Sequence, residues 1–260
     1  PNDFEPGPRQ AEVVSRARLL VAVGAGFDAW VDDLAAGAGG DPAVVEVAPQ
    51  DELRPAGAGH EEAMEGHDHG GGGHEHAEEG DEAELDPHFW HDPRLARGAV
   101  DAVEAALAAA DPGGAEAYRA GATRYRAELA ELDRALAERY GTVPAARRRL
   151  VTNHDAFSYL ARRYGLEVVG TVIPSTSTAA EPNARDTAAL IRAIRDQGVP
   201  AIFSESTVDP KLGRQLAAET GVTVYADLLG DTLAPEGEPG ADYLSMMRRN
   251  ADTIVEGLTR

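Results

Sequence analysis

The sequence predicts an α/β protein in which two parallel-sheet lobes are joined by one long rigid helix. Three observations lead there. Apolar runs alternate with helical patterns four times in the C-terminal half, a shorter strand–turn–helix–strand series opens the chain, and an unbroken amphipathic stretch lies between them. The corresponding organisation is an N-terminal lobe over 1–113, a linking helix over 114–140 and a C-terminal lobe over 141–260.

The opening series is "RARLLVAVGAGFDAW", a strand from Leu19 running into a glycine turn and a helix start, then the short strand "PAVVEVAP". Gly24, Gly26 and Ala29 match the G-x-G-x-x-A pattern of dinucleotide sites. Asp28, however, would repel a pyrophosphate at the helix N-terminus, so a structural turn is expected there. From about Pro55 to Leu85 Gly, His, Glu and Asp replace the aliphatics. Such a segment cannot bury enough surface to offset its chain entropy and reads as a mobile loop.

Helical signals return at Pro93, with an apolar stripe through Leu95, Val100, Val103 and Leu107 that stops at "DPGG". In the next segment Tyr118, Ala122, Tyr125, Leu129, Leu132, Leu136 and Tyr140 recur at intervals of three and four. A helix of about 25 residues spans nearly 40 Å at about 1.5 Å per residue, long enough to serve as a spine between two lobes. Beyond it, "RLVTNH", "EVVGTVI", "PAIFSES" and "TVYADLLG" alternate with helices, the pattern of a parallel sheet covered on both faces. In such sheets ligands bind at the carboxyl ends of the strands. The first run ends at His154, the third at Glu205 and the fourth at Asp227, all side chains that bind metals. An Asp after a buried strand is also a common helix cap.

Composition narrows the function. With 260 residues, 43% of them hydrophobic, the chain can bury a substantial core. A net charge of −21 disfavours nucleic acid and anionic membrane surfaces as partners and suits a small cation. The absence of cysteine excludes disulfides, thiolate zinc sites and thiol catalysis. No run of eighteen apolar residues occurs.

Six of the eight histidines fall between Gly66 and Pro93. His88 and His91 sit in "DPHFWHDP", where each proline stiffens the residue before it. A metal ligand and a packed, hydrogen-bonded core histidine are equally compatible with that frame. His154, in "TNHDAFSYLARRYGL", stands at a strand-to-helix junction. Two imidazoles with the Asp227 carboxylate would form an N,N,O set that suits Zn²⁺ or Mn²⁺ better than Mg²⁺ or Ca²⁺. Both imidazoles must be neutral to bind, so affinity is expected to fall below about pH 6. With Glu205 as general base, the same residues would also allow a zinc-dependent hydrolase, although no HExxH or paired-metal motif is present.

Taken in order, "NDFEP", "DPHFWHDP", "NHDAFSYLARRYGL" and a late strand ending in Asp resemble the zinc-type (cluster A-I) solute-binding proteins of bacterial ABC metal importers. The resemblance covers essentially the whole chain. It implies two α/β lobes with a metal in the cleft between them, an ABC permease in the membrane as partner, an extracytoplasmic location and a monomeric, non-enzymatic protein. The ligands it implies are His88, His154 and Asp227, with Glu205 as a nearby supporting or alternative carboxylate. The family's first ligand is a His where this chain has Asn2, and His91 occupies a position that is usually apolar. His91 could replace the missing ligand, although its spacing after His88 points it along the helix start. The family's first strand and helix and its export signal would precede Pro1, so the chain reads as a fragment or processed form. The tract His60, His67, His69, His74 and His76 is expected to collect Zn²⁺ loosely beside the cleft.

Overall fold

The computed structural model describes residues 4–56, 85–173, 175–176, 183–207 and 211–260. Helix α1 (Pro8–Val14) leads into β1 (Leu19–Ala22), α2 (Trp30–Gly37) and β2 (Ala43–Glu46). β1 and β2 pair in parallel, Leu19 opposite Ala43. The glycine turn after β1 is closed by Asp28, whose carboxylate accepts from the backbone N–H of Val23 at 2.7 Å and of Gly24 at 2.9 Å. Those amides are the donors a phosphate would need, so the turn is structural as expected.

A 3₁₀ turn, Phe89–His91, precedes α3 (Pro93–Ala110). Asp92 caps α3, accepting from the Arg94 N–H, and Pro93 sits at the first helical position, where no N–H is needed. The long helix α4 spans Ala115–Gly141 and buries Ala122, Leu129, Leu132, Leu136 and Tyr140, one stripe at the predicted spacing. Its N-terminal half lies on α3, where Arg126 pairs with Asp101 at 2.6 Å and with Glu104. Its C-terminal half enters the second lobe, where Leu132, Leu136 and Tyr140 join the core.

That lobe contains β3 (Arg149–Thr152), α5 (Ser158–Tyr164), β4 (Glu167–Thr171), α6 (Ala184–Gln197), β5 (Ala201–Glu205), α7 (Lys211–Thr220), β6 (Thr223–Leu228) and α8 (Tyr243–Thr259). Its four strands are parallel in the order β4-β3-β5-β6. One face packs Leu150 and Phe203 against Leu160 of α5, Met247 and Ile254 of α8, and the end of α4. On the other face Val151 and Ile202 meet Leu190 and Ile194 of α6 and Leu216 of α7. Every residue of β5 is buried, as a central strand covered on both sides requires. Among the described residues no helix is long and apolar enough to cross a membrane.

Candidate metal centre

The turn before α3 in the first lobe and the strand ends of the second meet at one buried point. His88 opens the 3₁₀ turn, His154 lies two residues beyond β3, and Asp231 lies three residues beyond β6. One ligand atom from each of these three lies within 4.8 Å of the others. His88 Nε2 is 3.4 Å from Asp231 Oδ1, and His154 Nε2 is 3.7 Å from Asp231 Oδ2. Two donors each about 2.1 Å from a tetrahedral ion are separated by about 3.4 Å, so the spacing suits an ion seated between them. Among the described residues, the two Nε2 atoms and Asp231 Oδ1 are buried without a hydrogen-bond partner. Orphaned polar atoms that converge in this way call for an ion or water.

Each imidazole is steered from behind by a carboxylate. Asp86 Oδ1 lies 2.7 Å from His88 Nδ1 and also accepts from the His88 N–H at 3.0 Å. Ser158 Oγ–H donates to the other oxygen of Asp86, and the Tyr159 hydroxyl donates to its carbonyl at 2.9 Å. Glu205 Oε1 lies 2.5 Å from His154 Nδ1, a close approach in which neither Glu205 oxygen makes an aligned hydrogen bond among the described residues. Carboxylates behind a histidine fix its ring and leave Nε2 to the metal.

The electrostatics favour a cation. Burial opposes the ionised forms of Asp86 and Asp231, yet the His88 ring outweighs it and holds both carboxyls below their ordinary value. Burial alone would lower the His88 imidazole, but the Asp231 and Asp86 carboxylates raise it to about 9. Two carboxylates converging on one imidazole thus favour positive charge at this point.

The structure places the expected residues unequally. His88 and His154 converge. Asp227 does not: it lies within β6, which runs on to Leu228, and its side chain is exposed. Successive strand residues point to opposite faces, so burying Leu228 in the core turns Asp227 outward. The carboxylate that arrives is Asp231, the first one past the true strand end, delivered by the turn at Gly230. Counting from the end of the apolar run "YADLLGD" would have found it.

Glu205 lies on the Nδ1 side of His154, away from the Nε2 that faces Asp231, so the general-base role fails on geometry. His91 is fully buried but outside the cluster. Its ring packs on Phe157 with centroids 4.5 Å apart, and neither nitrogen has a partner among the described residues. Burial pushes its imidazole down to about 3, and the nearby His88 adds to that, so the ring is neutral. Sequence reasoning also missed Asp86, although it stands two residues before His88. Asn2 and His60, His67, His69, His74 and His76 lie outside the described residues.

Two α/β lobes bridged by a long helix, with imidazoles and a carboxylate converging at their junction, define a two-lobed metal-binding protein. The family described as "Zinc-uptake complex component A periplasmic" (ZnuA) matches residues 1–257, and the chain belongs to that family. It is 28% identical over 260 residues to the manganese-binding lipoprotein MntA of Halalkalibacterium halodurans, covering all of this chain and 78% of that protein. It is 31% identical over 260 residues to the zinc-binding protein AdcA of Streptococcus pyogenes, covering 98% of this chain but only about half, 49%, of AdcA. Among solved structures, the periplasmic zinc-binding protein TroA of Treponema pallidum superposes with a TM-score of 0.82 at 28% identity, covering all of this chain and 87% of TroA. The two-lobed α/β architecture expected from the sequence is thus also that of its relatives.

Proposed function

We propose that the protein captures Zn²⁺, with Mn²⁺ as the second candidate, outside the cytoplasmic membrane and delivers it to an ABC permease without chemical transformation. The ion is cargo, held by His88 Nε2, His154 Nε2 and Asp231. The observation that carries this reading is the convergence of those three groups, two of them orphaned imidazole nitrogens, at donor spacing. Membership in a zinc-uptake family and the names of zinc- and manganese-binding relatives support it. Two nitrogen donors favour zinc over manganese, since imidazole suits the softer ion. The histidine tract from His60 to His76 serves as an auxiliary collector, and Asn2 leaves the site one imidazole short of the family set.

Competition titration of Zn²⁺ and Mn²⁺ against a chelator tests the reading. The full chain should show one tight zinc site that survives deletion of the tract and tightens with Asn2→His. Asp231→Asn should abolish tight binding, whereas Asp227→Asn should leave it unchanged. The reverse pattern would refute the site.

A further inference from the structure

We infer that Trp90 is a positioning residue for the metal, tying the loop that carries Asp231 to the turn that carries His88. The inference rests on the metal site proposed above. Trp90 belongs to the first lobe, two residues after His88. Its indole Nε1–H reaches into the second lobe and donates to the Gly230 carbonyl at 3.1 Å. That carbonyl belongs to the rigid peptide plane whose nitrogen is the backbone N of Asp231. Fixing its oxygen therefore fixes the plane from which the Asp231 side chain hangs.

The rest of the loop is held in a way that leaves this contact decisive. The buried Asn250 side chain on α8 clasps Leu229 twice, accepting from its N–H at 2.9 Å and donating to its carbonyl at 2.7 Å. Gly230 is pressed against Glu205, so the backbone is boxed from that side. A cavity of about 550 Å³, with Phe27, Trp90, Gly230, Asp231, Leu233 and Met246 in its lining, borders the same loop. The same ring meets the His88 ring edge-on, with centroids 5.1 Å apart, and the Tyr243 hydroxyl donates to the Trp90 carbonyl at 2.7 Å. Trp90 thus touches one metal-directed side chain and orients the peptide carrying another. Opening the junction between the lobes would break its bond to Gly230 and release Asp231.

Zinc affinity measured by chelator competition on four proteins tests this: the unmodified chain, Trp90→Phe, Asp231→Asn and the double variant. Trp90→Phe keeps an aromatic ring and removes the donor. It should weaken zinc binding about 5- to 10-fold, as the loss of one hydrogen bond does, mainly through faster release. In the Asp231→Asn background the same change should cost less than about 2-fold, because the group it positions is already disabled. Should Trp90→Phe not fold, Tyr243→Phe, which frees the Trp90 backbone, should weaken binding in the same Asp231-dependent way. Unchanged affinity, or an equal loss in both backgrounds, would overturn the positioning role while leaving the metal site standing. If Asp231→Asn itself bound zinc normally, the site and the positioning role would fall together.

Discussion

Among the described glycines, Gly230 leaves the least room for a Cβ, which makes Gly230→Ala a severe test. A Cβ built on Gly230 would lie 2.0 Å from Glu205 Oε2 and 2.5 Å from its Cδ. Reaching ordinary contact at 3.4 Å requires a further 1.4 Å of separation. Glu205 cannot escape to solvent, since it is buried at the end of a central strand with its backbone N–H bonded to Asn153 Oδ1 at 3.1 Å. Either Glu205 leaves His154 or the loop carrying Asp231 moves outward, and both spoil the proposed metal site. Overpacking of this kind costs about 1–3 kcal/mol. For a protein of this size that lowers the unfolding midpoint by roughly 3–10 °C. Loss of the carboxylate behind a metal-binding histidine typically costs about 10- to 100-fold in affinity, so zinc binding should weaken at least 10-fold. Calorimetric unfolding and chelator competition read the two effects. Gly121→Ala, whose Cβ would meet nothing within 4 Å among the described residues, is the control and should leave both unchanged or slightly improved. A Gly230→Ala protein with normal stability and normal zinc affinity would refute the packing of Gly230 against Glu205.

Two further predictions concern protons. His88 is held up at about 9 against an ordinary value of 6.5, and a zinc ion at the proposed site would displace that proton. Affinity should therefore keep rising between pH 7 and pH 9, by up to about 10-fold per pH unit, above the pH 6 window an unperturbed imidazole suggests; a plateau by pH 7 would contradict it. The raised value stabilises the ion-free protein fully below pH 6.5, and that contribution is lost as pH climbs through about 9. His91→Leu removes two unpartnered buried nitrogens and should raise stability by about 1–3 kcal/mol, most visibly in acid. The wild-type ring, depressed to about 3, destabilises the fold increasingly as pH falls below 6.5. Denaturant unfolding at pH 7 and pH 5 checks this, and a less stable variant would mean that His91 has a partner.

Where periodicity and capping act locally, the sequence announces its structure. The stripe from Ala122 to Tyr140, the Asp92–Pro93 helix start and the alternating strands of the second lobe all follow from residue spacing. The two histidines were legible because each sits in a stiff junction beside helix-start chemistry. Asp227 and Asp231 could not be separated that way. Which one reaches the site depends on whether β6 stops before or after Leu228, and that is decided by pairing with β5, Glu205 lying opposite Leu228. The roles of Asp86, Glu205 and Trp90 are likewise set across the fold, by which atom faces the back of a ring or the carbonyl before Asp231.

Diffraction from crystals grown with zinc, with data collected on either side of the zinc absorption edge, tests the central claim most directly. One strong anomalous peak within about 2.0–2.2 Å of His88 Nε2, His154 Nε2 and an Asp231 oxygen is the predicted result. A peak at Asp227, at His91 or nowhere between the lobes would contradict it.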